Sequence, residues 1–209
     1  MDEYIRLGAS EAPGERAFAH PDRTAVDLAS IADMVATLRS LLGGPRPLPA
    51  GPRPLTVEAG QGDRPHRVIV CDEALLRTGA DAPFVGFFSE KRSGVDHAPL
   101  TAADDELVLQ FPGHPGVLSY SSIALEDGNW GNLIVLRSLD AAERWREGDR
   151  HARAARELAP RHYTVVRLHN GLLPGGLVSG REPALIRTRY FDYRGPTTWQ
   201  AERVHRILS

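Results

Sequence analysis

Several features that would narrow the function at once are scarce in this sequence. Its 209 residues hold one cysteine and one lysine, and 27 acidic side chains nearly balance 25 basic ones. A single cysteine excludes an internal disulfide and a multi-cysteine zinc site. An isoelectric point near 6.4 shows no basic excess of the kind that neutralises nucleic-acid phosphates. We therefore expect neither a disulfide scaffold nor a nucleic-acid partner.

Long hydrophobic runs are missing as well. No apolar stretch approaches the roughly 18 residues that span a bilayer. The first residues, MDEYIRLGASEAPGER, are acidic and polar, whereas a secretory signal peptide begins basic and then turns apolar. These features predict a cytoplasmic protein without a membrane partner. With 42% hydrophobic and 25% charged residues, the chain has the composition of an ordinary folded protein.

Residues 1–82 form the less regular part of the sequence, which we interpret as an N-terminal extension. Apolar residues recur every three or four positions between 27 and 42 and predict an amphipathic helix there. The stretch 43–55, GGPRPLPAGPRPL, predicts an extended connector because its prolines remove backbone donors. Residues 67–71, RVIVC, are rich in β-branched side chains and predict a strand, in which Cys71 is expected to be a small packed side chain rather than a nucleophile.

From residue 83 onward the pattern of helices and strands is denser. Asp127-Gly128 supplies the positive φ of a hairpin turn, Thr101 and Asp104 mark a helix start, and the ending TTWQAERVHRIL predicts a short amphipathic helix. The predicted elements are, in order, strand 84–88, a helix from Thr101 to before Pro112, strands 117–125 and 132–137, a broken helix from Asp140 to Pro160, strand 163–169 and strand 185–191.

From strand 84–88 to strand 163–169 this order reads βαββαβ, which is the split unit of ferredoxin-like folds. We therefore predict an α+β domain over 83–209, with an antiparallel sheet and both helices on one face. The other face would be apolar and bare, and a second copy of the chain is the simplest cover, giving a homodimeric α/β barrel. Alternatively, the helix from Leu28 to Leu42 packs on this face and competes with the dimer.

Two strands carry candidate binding residues. Because side chains alternate along a strand, Arg167 and His169 share one face while Val166 and Leu168 pack beneath the helices on the other. A buried arginine needs a partner, and a substrate carboxylate, a haem propionate or an acidic side chain would each serve. In the last strand Arg187 and Arg189 share a face, where they either clamp an anion or pair with acidic residues at a dimer seam.

Hydroxyl and amide side chains on the hairpin strands add hydrogen-bonding candidates. Tyr120 and Asn132 would orient a substrate beside Arg167 and His169, which would bind or deprotonate it. The sequence has no G-x-S-x-G motif and no Ser-His-Asp spacing, so covalent hydrolysis is unsupported. No metalloprotease or phosphate-loop motif is present either.

The run DGNWGNLIVLRSLDAAERWREGDRHARAARELAPRHYTVVRLHNG places a hairpin, an apolar strand, a helix with Trp145 and His151, and a further strand in succession. In this order of elements, the stretch from Phe84 to Tyr193 resembles the dimeric α/β-barrel superfamily, particularly its antibiotic-biosynthesis-monooxygenase type. The resemblance implies a homodimer that binds a small, largely apolar molecule. Some members oxidise aromatic or polyketide substrates without a cofactor, others degrade or use haem, and some have no known catalysis.

The resemblance leads to two functional hypotheses. The first is a small-molecule enzyme of oxidative, monooxygenase-like biosynthetic chemistry on an aromatic or polyketide-like metabolite. In its haem-dependent form His151 is the proximal iron ligand, and Arg187 and Arg189 hold the propionates. The second is a non-catalytic ligand-binding or stress-response dimer. A cavity with convergent polar side chains near Arg167 and His169 would favour the enzyme, and an apolar filled interior would favour the second.

Overall fold

The computed structural model describes residues 4–44, 48, 54–59, 65–111, 114, 116–147 and 154–205. Within these residues the chain folds into one sheet of nine strands with helices on both sides, which confirms the α+β class. The strands are β1 (Ile5–Leu7), β2 (Leu55–Glu58), β3 (His66–Val70), β4 (Ala82–Lys91), β5 (Val117–Ala124), β6 (Trp130–Leu136), β7 (Tyr163–Leu173), β8 (Ala184–Asp192) and β9 (Trp199–Val204).

The helices are α1 (Pro21–Gly43), α2 (Glu73–Leu76), α3 (Ala98–Gln110), α4 (Leu139–Glu147) and α5 (Ala159–His162). Helix α1 begins earlier than the apolar period predicts, because Pro21 occupies its first turn and the His20 ring accepts a hydrogen bond from the Asp22 amide. A π-helical turn (Ala154–Leu158) precedes α5. The predicted broken helix is thus present in pieces, and residues 148–153 lie outside the described part.

The strand order is β1-β9-β8-β7-β4-β6-β5-β3-β2. Its centre, β7-β4-β6-β5, contains the four strands predicted between residues 84 and 169, and all neighbouring pairs there are antiparallel. Helix α3 connects β4 to β5, and β5 and β6 form the predicted hairpin around Gly128, whose φ is +79°. The sheet is larger than the four-stranded unit of the prediction, because β3 and β2 extend one side and β8, β9 and β1 extend the other.

The two sides of the sheet are covered by different helices. One side, which we call the α1 face, carries Phe84, Phe88 and Leu133, and the apolar stripe of α1 packs on it. The other side, the α3 face, carries Val85 and Ile134, which pack against α3 and α4. A Cβ at Gly86 would lie 2.9 Å from Ile31 Cδ1, so a glycine at this position allows α1 to approach the sheet closely.

The position of α1 bears on the expected dimer. That expectation rested on a bare sheet face, but α1 of the same chain covers the corresponding part of the sheet, as the alternative with the helix from Leu28 to Leu42 anticipated. The homodimer stays a prediction, but a bare sheet face no longer supports it. Residues before position 83 supply α1 and three strands of the same sheet.

The predicted C-terminal helix is wrong. Residues Trp199–Val204 form β9, which pairs antiparallel with β8 and parallel with β1. Trp199, Ala201 and Arg203 alternate toward the α1 face, where Trp199 packs against Phe18. Pairing on both sides therefore outweighs the helical preference of the Ala-Glu-Arg segment.

Among the helices of the described segments, none combines the length and the apolar character needed to cross a bilayer.

Candidate functional site

A buried ion cluster links α1 to strand β7. Arg167 Nε and Nη2 donate to the two carboxylate oxygens of Asp27 at 2.5 and 3.1 Å. His169 Nε2 lies 2.8 Å from Asp27 Oδ2. All three residues are at most 2% exposed. The predicted face of Arg167 and His169 is confirmed, and of the partners foreseen for the arginine, an acidic side chain is the one observed.

Asp27 is ionised in this cluster. Burial alone would raise the pKa of its carboxyl, but hydrogen bonds from His169 and Arg167 outweigh burial and hold the pKa below its usual 3.8. A carboxylate only accepts hydrogen bonds, so His169 Nε2 carries the proton of that bond. The charges of Arg167 and Asp27 then compensate each other. Glu90 Oε1 lies 3.6 Å from Nη1 of the same guanidinium.

Two more hydrogen bonds extend the cluster toward the protein surface. His169 Nδ1 lies 2.9 Å from Thr188 Oγ1, and the same hydroxyl lies 2.8 Å from His205 Nε2. One arrangement of protons satisfies all of these bonds: His169 Nε2 donates to Asp27, His169 Nδ1 accepts from the Thr188 hydroxyl, and the Thr188 oxygen accepts from His205 Nε2. Burial is the largest cause that lowers the pKa of His205 to about 4, and the charge of the neighbouring Arg203 lowers it further. His205 is therefore neutral near pH 7.

A second polar group fixes the N-terminal segment beside this chain of bonds. Arg203 is 1% exposed, and its Nε donates to the Tyr190 hydroxyl at 3.3 Å. Its Nη1 and Nη2 donate to the main-chain oxygens of Gly8, Ala9, Glu11 and Ala19. These bonds use all the N–H groups of the guanidinium. The segment before α1 is therefore held against β9.

A cavity of about 600 Å³ opens where α1, β9 and the segment before β8 meet. We call it the α1–β9 cleft. Its polar groups include Thr24, Arg203 and His205, and its size falls in the range of small-molecule sites. The lining residues are Ala9, Pro21, Thr24, Ala25, Leu28, Pro174, Arg181, Glu182, Pro183, Ala184, Leu185, Arg203 and His205.

The four residues predicted to be catalytic do not come together within the chain. Arg167 and His169 lie on the α1 face, whereas Tyr120 and Asn132 lie on the α3 face, and this corrects the predicted constellation. The Tyr120 hydroxyl donates to Asp104 at 2.7 Å, and Asn132 accepts from the Ser122 hydroxyl at 2.8 Å. The cause is register, since Tyr120 pairs with Ile134, whose side chain packs against α3.

Tyr120 is also a poor base in this setting. Burial, followed by the negative charge of Asp104, raises the pKa of its hydroxyl well above 10. Cys71 is equally unreactive, because burial raises the pKa of its thiol to about 12. This thiol packs beside the cluster around Ile69, as expected for a small apolar side chain.

Arg187 and Arg189 share one face of β8, as predicted, and this is the α3 side, whereas Thr188 between them faces the α1 side. Both are near Glu202, at 3.8 and 4.0 Å, and Arg189 also stands over the Tyr4 ring at 4.8 Å. They therefore face away from the α1–β9 cleft. The acidic partner belongs to the same chain, and the foreseen pairing at a dimer seam stays a prediction.

His151 lies outside the described residues, so the predicted haem site stays a prediction. Its two proposed propionate ligands, Arg187 and Arg189, are on the face opposite the cleft. Within the described segments no group of three or more histidine, cysteine, aspartate or glutamate side chains is placed to hold a metal ion.

Sequence reasoning missed three members of the site. Asp27 precedes the apolar stripe of α1 and lies four residues before Ile31, so it carries a charge in line with the buried face, and this is the signal that could have found it. His205 was assigned to the predicted terminal helix. Thr188 lies on the face of the last strand opposite Arg187 and Arg189, and nothing in its spacing marks it for a role.

The comparisons with known proteins add little to this geometry. The chain matches no family model and no curated protein. A crystal structure of protein SO0527 from Shewanella oneidensis is similar over 46% of this chain and 94% of that chain, with 14% sequence identity and a TM-score of 0.38. This likeness is too weak to carry an argument about fold or function.

Proposed function

We propose that the protein is a small-molecule enzyme that binds its substrate in the α1–β9 cleft and removes a proton from it with His205. One observation carries the proposal. His205 lines the cleft, and its Nε2 is hydrogen-bonded through Thr188 to the buried His169–Asp27 pair. An imidazole at a cavity wall, oriented by a second buried group, is the usual arrangement of a general base.

The chemistry follows from which ring nitrogen is engaged. Nε2 of His205 is held by Thr188, which leaves Nδ1 for a bound molecule. Thr24 and the Arg181 and Glu182 segment supply polar contacts, while alanine, proline and leucine side chains make up much of the remaining wall. A largely apolar substrate with one acidic C–H or O–H group fits such a cleft.

The fold and reaction class expected from the sequence belong to the same proposal. The strand order β7-β4-β6-β5 supports a ferredoxin-like βαββαβ unit at the centre of the sheet. In the cofactor-free oxygenases of the resembled superfamily the reaction passes through an anionic intermediate, and a base forms such an anion. Aromatic and polyketide-like metabolites, with dioxygen as the oxidant, are therefore the first substrates to screen.

A second candidate function is binding of a small molecule without catalysis. The observation that favours it is that Arg167 and His169 do not line the cleft and are already held by Asp27. In this function the ion cluster only fixes α1 on the sheet.

The two functions are separated with a probe of proton abstraction, 5-nitrobenzisoxazole. A base takes the carbon-bound proton, its electron pair completes the nitrile, and the N–O bond breaks to release a coloured phenolate. The variants are His205→Gln, which removes the base, and Ala25→Trp, which fills the cleft. His97→Gln is the matched control, since His97 immediately precedes α3 and does not line the cleft.

We expect saturable turnover of the probe in the wild type and in His97→Gln. Turnover should fall roughly a hundredfold in His205→Gln and disappear in Ala25→Trp. If His205→Gln keeps the wild-type rate, or if the wild type is no faster than free imidazole, the catalytic proposal is overturned. Binding of the probe that Ala25→Trp removes, without turnover, would establish the second function.

A further inference from the structure

We infer that Thr188 is a positioning residue that passes a proton from His205 to His169, so that the buried Asp27–His169 pair is the final proton acceptor. The inference rests on the proposed function, because it concerns the same cleft and the same base. It adds a residue that touches no substrate and assigns a chemical role to an ion cluster that would otherwise only hold α1 on the sheet.

The geometry is continuous from the cleft to α1. The three donor–acceptor distances are 2.8 Å from His205 Nε2 to Thr188 Oγ1, 2.9 Å from Thr188 Oγ1 to His169 Nδ1, and 2.8 Å from His169 Nε2 to Asp27 Oδ2. All are ordinary hydrogen-bond lengths. The inner members Thr188 and His169 are 0% exposed. Each proton can therefore move along an existing bond.

The proton count balances in both directions. When His205 Nδ1 takes a proton from the substrate, Nε2 releases its own to the Thr188 oxygen, and the Thr188 hydroxyl gives its proton to His169 Nδ1. His205 ends neutral in its other tautomer, and His169 ends as an imidazolium bonded to Asp27. Reversal of the same steps returns the proton to a product anion, so neither an oxidant nor a cofactor is required.

The destination of the proton is electrostatically better than its entry point. His205 lines the same cleft as Arg203, Arg181 and Glu182, and its low pKa makes it a weak base alone. If His205 kept the proton, its positive charge would lie close to the buried Arg203 guanidinium. Passing the proton inward places the new charge beside a carboxylate.

The surroundings of His169 also fit an imidazolium. Asp27 accepts from it directly, and the edge-on Phe88 ring lies 5.5 Å away between ring centroids. Arg167 is the one cation of the described residues in the same cluster, and its charge is shared between Asp27 and Glu90. The pair can therefore hold a transient positive charge without leaving Arg167 unpaired.

Thr188 is suited to this task by its place in the sheet. It pairs with His169 of β7 and Arg203 of β9 in register, and its hydroxyl lies within hydrogen-bond distance of both the His169 and the His205 rings. The β-branched side chain restricts χ1, while its hydroxyl proton rotates to suit either direction of the chain of bonds. Valine has the same shape without the hydroxyl, and serine has the hydroxyl without the methyl group.

The test compares the wild type, Thr188→Val, Thr188→Ser and His205→Gln with 5-nitrobenzisoxazole as the probe. In Thr188→Val we expect kcat to fall roughly tenfold to a hundredfold with KM unchanged, because the cleft wall is intact. Thr188→Ser should restore kcat to within a few-fold of the wild type. A merely structural threonine would change KM or stability instead, and its serine variant would be no better than the valine variant.

A solvent-isotope measurement tests the same inference on the wild type alone, so it does not depend on whether a variant folds. The inferred path moves two exchangeable protons together, so kcat plotted against the deuterium fraction of the solvent should be curved. A linear or flat plot overturns the inference. If His205→Gln loses turnover while Thr188→Val keeps the wild-type kcat, the inference fails and the proposed function stands. If His205→Gln keeps turnover, the proposed function itself fails.

Discussion

The two faces of the sheet use the same residue types in opposite ways. On the α1 face, Asp27, Arg167 and His169 are almost completely buried and joined at 2.5 to 3.1 Å. On the α3 face, Arg67 and Asp104 are joined at 2.6 Å, but their side chains are 26% and 35% exposed. Water can replace a lost partner on the α3 face only, so charge removal should matter far more on the α1 face.

The largest effect is expected for Asp27→Asn. The change leaves the buried Arg167 without its carboxylate, and breaking such a pair costs about 3–5 kcal/mol in the free energy of unfolding. Urea unfolding checks this value. The double variant Asp27→Asn/Arg167→Met removes both charges and should be more stable than Asp27→Asn alone. If the double variant instead loses the sum of the two single changes, the buried pair is not the cause.

Arg203→Lys should have the next largest effect. The lysine ammonium has three N–H donors, whereas the planar guanidinium has five. Lysine therefore cannot donate to four carbonyl oxygens and the Tyr190 hydroxyl at the same time. We expect a loss of about 2–3 kcal/mol and faster amide exchange over residues 8–19. Arg6→Lys is the control, because the Arg6 side chain is 87% exposed. Equal exchange in both variants would contradict the anchoring role.

The pH dependence of stability separates His205 from Asp27. The folded-state pKa of His205, about 4, is below the usual 6.5, so the unfolded chain binds the proton first and stability falls as pH drops from 6.5 toward 4. The folded-state pKa of Asp27 is below 3.8, so its contribution is present above that pH and is lost below it. His205→Gln should flatten the upper part of the curve and Asp27→Asn the lower part. Unchanged curves would contradict both assignments.

Asp104→Asn should have the smallest effect. Asp104 accepts from Arg67 and Tyr120 on the α3 face, but both ions are partly solvated, so we expect a loss of about 1 kcal/mol or less in urea unfolding. The loss should shrink further in high salt. A loss as large as that of Asp27→Asn would remove the distinction between the faces.

Strands β4 to β8 and the face of Arg167 and His169 could be predicted because they depend on local alternation and turn residues. Two features of the site depend on long-range packing instead. Asp27 meets Arg167 across 140 positions, which no local pattern encodes beyond a charge in line with the buried stripe of α1. Segment 199–204 reads as a helix by composition, but its pairing with β8 and β1 determines its structure.

The split of Tyr120 and Asn132 from the other candidates has the same origin. Alternation within a strand predicts which residues share a side, but it does not say which sides of different strands coincide. The register of β5 with β6 decides that.

The most direct test of the central claim is long-range 1H–15N NMR of the histidine rings near pH 7. The connected bonds from the cleft to Asp27 require His169 to be protonated at Nε2 with Nδ1 as an acceptor, and His205 to be protonated at Nε2. We expect both tautomers in the wild type, and loss of the His205 preference in Thr188→Val. His169 protonated at Nδ1 alone, or a His205 ring that exchanges freely between tautomers in the wild type, would contradict this expectation.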